Sequence, residues 1–75
     1  MKLHQVQRPR ARRAQAEQWA NWATQTLGTG VWLAEPHATW SGLGNCIWTL
    51  HLDQTGVTMT FRKAQHATLF SLTAE

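Results

Sequence analysis

The chain has a single cysteine, no tyrosine, two prolines and only four acidic residues in 75 positions. One cysteine excludes an internal disulfide framework, the usual staple of small secreted domains, and favours a reducing, cytoplasmic setting. No apolar run approaches the roughly 20 residues of a membrane span, so no membrane partner is expected. A secretory signal needs an apolar stretch behind its charges, and here Gln15-Ala16-Glu17-Gln18 follow the arginines. An arginine-rich, acid-poor start also suits an organellar presequence. Removing it with the helix behind it would leave too little chain to fold, which argues against that reading.

The shortage of acids is uneven. Lys2, Arg8, Arg10, Arg12 and Arg13 precede the first acid, Glu17. From residue 14 onward, Arg62 and Lys63 stand against Glu17, Glu35, Asp53 and Glu75. The formal charge of +3 is therefore a +5 segment of thirteen residues attached to a body of −2. Residues 1–9 read as a basic extended arm and 10–75 as a single compact domain. The hydrophobic fraction of 43% is enough for a folded core. A domain this small buries only about 60% of the surface its unfolded chain exposes, which excludes a deep substrate cavity.

Periodicity predicts one amphipathic helix from about Arg10 to Leu27, with Ala16, Trp19, Ala20, Ala23 and Leu27 on one face and Gly28-Thr29-Gly30 as its stop. Val31–Ala34 is a short candidate strand. Cys46 to Leu52 alternates, with Cys46, Trp48, Leu50 and Leu52 inward and Ile47, Thr49 and His51 outward. Asp53-Gln54-Thr55-Gly56 marks a hairpin turn, and Val57, Met59 and Phe61 continue the inward face beyond it. The tail fits either a strand through Thr68, Phe70 and Leu72 or a helix starting near Arg62, and its β-branched and aromatic content favours the strand. The expected fold is α+β: one N-terminal amphipathic helix packed on a small three- to four-stranded antiparallel sheet.

Five tryptophans are many for this length. Trp19 and Trp48 fall on predicted core faces. Trp22, Trp32 and Trp40 are less easily absorbed, so at least one should be exposed as an anchor for a protein or a platform for a base.

Chemistry-bearing clusters are scarce. Cys46 and His51 point to opposite faces of a strand, and no paired ligand spacing suggests a metal site. Ser41 and Ser71 lack the G-x-S-x-G context of a nucleophile elbow. The four acids form no local pair for acid–base work. Gly28-Thr29-Gly30 follows a helix, whereas the dinucleotide fingerprint follows a strand. No enzyme, metal or cofactor is expected. The leading expectation is a small regulator or inhibitor that occludes a protein partner, using Trp22, Trp32, Trp40 and the flat face of Ile47, Thr49, Thr58 and Thr60. An edge strand could pair with a second copy to give a homodimer. The alternative is nucleic-acid binding through residues 1–13. Arg8, Arg10, Arg12 and Arg13 would hold phosphates beside an exposed indole, with Arg62 and Lys63 as further cations.

Overall fold

A computed structural model describes residues 3–35 and 46–73. The elements are β1 (His4–Pro9), α1 (Arg13–Thr26), β2 (Gly30–Leu33), β3 (Trp48–Asp53), β4 (Gly56–Phe61) and α2 (Ala64–Thr73). The strands form one sheet in the order β1-β4-β3-β2. The fold is α+β, as expected. Two features of the expected arrangement are corrected: the sheet is mixed rather than antiparallel, and a second helix closes the chain.

The mixed sheet follows from the path of α1. β1 and β3 are both antiparallel to β4, so they run the same way. Helix α1 carries the chain back along the sheet, and the strand that follows sets out in the direction of β1. β2 therefore lies parallel to β3, with Gly30 opposite Trp48 and Leu33 opposite His51.

The second helix follows from width. Four strands at about 4.8 Å spacing span roughly twice what one helix of about 10 Å diameter can cover. α1 packs on β3 and β2, and α2 packs on β4 and β1. The tail was expected as a strand because Thr68, Phe70 and Leu72 alternate. Of these only Phe70 is buried, and Leu72 stays 78% exposed, so the alternation does not mark a buried face.

The hairpin expected over residues 46–61 is present, with Asp53 opposite Gly56 and Gln54-Thr55 as the two turn residues. Trp48, Leu50, Val57, Met59 and Phe61 are buried beneath the helices, as are Ala16, Trp19, Ala20 and Ala23 of α1. α1 begins at Arg13, three residues later than its composition suggested. Its C-terminal end leads into Gly28, which has φ +126° and whose carbonyl accepts a hydrogen bond from Trp48 Nε1 at 2.9 Å.

Phe70 joins the layers. Its ring meets Trp19 edge-on at 5.5 Å, Trp22 at 5.6 Å and Phe61 at 5.7 Å. Both α1 tryptophans thus pack on α2, which holds the two helices together above the sheet. On the opposite face, Thr49 and Thr60 are almost wholly buried and His51 is 8% exposed. The accessible threonine surface expected for occlusion of a partner is therefore reduced to Thr58 and its neighbours on β1. The His51 ring lies between the Leu33 carbonyl and the Asp53 carboxylate, each 3.2 Å away.

Gly30 is required by the core rather than by its backbone angles. A Cβ there would stand 2.0 Å from the buried ring of Trp48. Gly30→Ala should lower unfolding stability by about 1–3 kcal/mol through overpacking. Chemical denaturation checks this, and a midpoint equal to the parent protein would contradict the packing of Trp48 on β2.

Candidate functional site

The basic segment is built into the fold. β1 is an edge strand hydrogen-bonded along β4, with Arg8 opposite Val57 and Pro9 opposite Gly56. After Pro9 the chain turns sharply into α1. Arg10 adopts the left-handed conformation, φ +71°. For a residue other than glycine this costs about 1–2 kcal/mol. It is held by the Arg10 N–H donating to the Thr55 carbonyl at 2.8 Å, and the Ala11 N–H donates to the Arg8 carbonyl at 3.3 Å.

The close approach of the two turns needs Gly56. Its φ is +142°, and a Cβ there would stand 2.3 Å from the Arg8 carbonyl oxygen. Asp53 shapes the hairpin from the other side. Its Oδ1 accepts from the Thr55 hydroxyl at 2.6 Å, the Thr55 N–H at 2.8 Å and the Gly56 N–H at 3.1 Å.

α1 opens with Arg12 as its N-cap in extended conformation. Arginine has no acceptor with which to cap the helix. Gln15 reaches back instead, its Oε1 accepting the Arg12 N–H at 3.2 Å. The four arginines of the segment thus surround one turn. The Arg8 guanidinium lies over the Phe70 ring, 5.6 Å from its centre, and also donates to the Gln7 carbonyl at 2.8 Å. Arg10, Arg12 and Arg13 are exposed. Arg13 pairs with Glu17 at 3.2 Å, with both side chains largely in water, where such a pair contributes little. No carboxylate pairs with Arg10 or Arg12 among the described residues.

Two hollows flank the turn. One, of about 280 Å³, lies on the sheet face away from the helices, bounded by Gln5, Gln7, Asp53, Thr55 and Thr58 among others. The other, of about 370 Å³, lies between the turn and α1, bounded by Arg8, Pro9, Arg10, Ala11, Gln15 and Trp19.

The remaining expected site residues do not join this cluster. Arg62 and Lys63 follow β4 at the end away from Gly56, about 20 Å along a six-residue strand. Trp22 is half-buried against Phe70. Trp32 is 40% exposed on edge strand β2, which fits the expectation that one indole would remain open. Trp40 lies outside the described residues. Sequence reasoning missed Pro9, Ala11, Gln15 and Trp19 as walls of a hollow, and Thr55 and Gly56 as the support of the turn. Gln15 three residues after an N-cap is a known helix-start signal, but an arginine at the N-cap hides it.

Among the described residues, no group of three or more His, Cys, Asp or Glu side chains could hold a metal ion, and no helix is long and apolar enough to cross a membrane. Compared with known protein families, with curated proteins and with solved structures, the chain matches none.

The hydrogen bond from the Thr55 hydroxyl, followed by that from its N–H, holds the Asp53 carboxyl below the usual carboxylate range. A carboxyl depressed in the folded state adds stability above its unfolded pKa of about 4 and loses it as pH falls through the folded value. Asp53→Asn should therefore flatten part of the acid limb of a stability-versus-pH profile. An unchanged limb would show that these bonds do not favour the carboxylate.

Proposed function

We propose that the protein is a small non-enzymatic binding module that holds the phosphate backbone of a nucleic acid at the β1–α1 turn. One observation carries this reading: Arg10, Arg12 and Arg13 stand exposed within four residues of an anchored turn, with Arg8 beside them, and among the described residues no carboxylate pairs with Arg10 or Arg12. Guanidinium groups suit phosphate because their fork of donors matches its oxygens. An anchored turn loses less conformational freedom on binding than a loose arm would. The burial of Thr49 and Thr60 removes much of the surface that favoured occlusion of a protein partner.

Binding to mixed-sequence DNA and RNA at several salt concentrations tests this. Three phosphate contacts give a log–log salt slope of about −2.7 on duplex DNA and about −2 on single strands. Arg10→Gln with Arg12→Gln should remove about two thirds of that slope, while Arg62→Gln with Lys63→Gln should leave most of it. Absence of salt-sensitive binding would overturn the reading.

A second reading rests on β2. This edge strand carries Val31, Trp32 and Leu33, all at least partly exposed and none charged, whereas edge strand β1 is protected by Arg8 and Pro9. A protein contact there, with a second copy as the simplest partner, becomes the better account under one result. That result is salt-insensitive nucleic-acid behaviour together with a sedimenting dimer that Trp32→Lys dissociates.

A further inference from the structure

The two hollows beside the arginine turn differ in chemistry. The one on the sheet face away from the helices is lined by Arg8 but also by Asp53, whose carboxylate repels an anion. Among the described residues, the lining of the one between the turn and α1 includes no acid. Its apolar lining is Pro9, Ala11 and the largely buried Trp19. Arg8 and Arg10 bring positive charge to the lining, and Gln15 is its one amide side chain.

The orientation of that amide is constrained. Gln15 Oε1 accepts the Arg12 N–H, so the NH₂ group is left as the donor. The hollow therefore combines apolar residues, a hydrogen-bond donor for a carbonyl edge, and cations. A nucleobase with a ring oxo group and its adjoining phosphate present the complement of each.

We infer that this hollow receives the base of one unpaired nucleotide while Arg10 and Arg12 hold its phosphates, so that the ligand is single-stranded nucleic acid. The inference rests on the phosphate-binding reading above and narrows it. In a duplex the bases are stacked and paired, so none can enter the hollow without being flipped out of the stack. In a single strand the base is free to enter, and contact with apolar and guanidinium surfaces favours it. An acidic peptide would satisfy the arginines and the amide donor but would bring no base ring to the apolar lining.

Four probes decide the matter with the full chain: a short oligothymidylate, an abasic strand of the same length, a duplex of the same length, and polyglutamate. Oligothymidylate should bind about tenfold more tightly than the abasic strand, which is within the range for one base contact. Gln15→Leu, at an exposed position, should reduce oligothymidylate binding severalfold more than it reduces abasic binding, because the abasic strand registers only the lost bond to the Arg12 N–H. Its melting temperature serves as the check that the variant is folded. Equal, salt-sensitive binding of the abasic strand and oligothymidylate would overturn the base site while leaving the arginine turn as a phosphate site. Duplex binding as tight as oligothymidylate would overturn the single-strand preference. Polyglutamate binding as tight as oligothymidylate would overturn both the base site and the nucleic-acid reading. No binding of any strand would overturn the phosphate reading itself.

Discussion

The ring of Phe70 is the contact on which the arrangement depends. It is buried between both helices and the sheet, with the α1 tryptophans meeting its ring and Phe61 of β4 beneath it. A 75-residue chain without disulfides has little surplus stability, so one ring shared by three elements carries a large share of it. Edge-to-face aromatic pairs add about 0.5–1.5 kcal/mol each beyond the area they bury. The same ring has the Arg8 guanidinium over it, so the core also fixes the end of β1. The basic turn is attached through Arg8 to a fully buried ring of the core.

That attachment explains how a strained turn persists. Arg10 in the left-handed region is unfavourable by itself, yet it is bracketed by β1 on one side and α1 on the other. The Thr55 carbonyl holds it from the hairpin, and the hairpin is shaped in turn by Asp53 and Gly56. Sheet, helix and hairpin thus converge on four residues that carry three exposed cations. Among the described acids, Asp53 is bonded within its own turn and Glu17 faces Arg13. Four of the seven basic residues thus meet at one corner of the sheet.

Much of this was legible in the residues. The 3.6-residue repeat of Ala16, Trp19, Ala20 and Ala23 and the alternation from Trp48 to Phe61 each determine a buried face locally. The charge division at residue 13 is visible by inspection. The direction of β2 was not legible, because it is set by the return path of α1 and not by Val31 or Trp32. The tail misled because Thr68, Phe70 and Leu72 alternate in sequence, while the need to cover β1 and β4 selects a helix that buries Phe70 alone of the three. The arginines themselves were evident as binding candidates. The turn that gathers them was not, since Arg10 stands where a glycine or asparagine would signal a left-handed residue, and Arg12 stands where a serine or aspartate would signal an N-cap.

Through Arg8, Phe70 anchors the arginine turn to the core. Amide hydrogen exchange in Phe70→Leu tests it directly, because leucine keeps an apolar group in place and removes the ring beneath Arg8. The Arg10 N–H, bonded to the Thr55 carbonyl, should exchange about tenfold faster in the variant, the equivalent of one lost cation–π contact of about 1–2 kcal/mol. Exchange at Arg10 as slow as in the parent protein would contradict it.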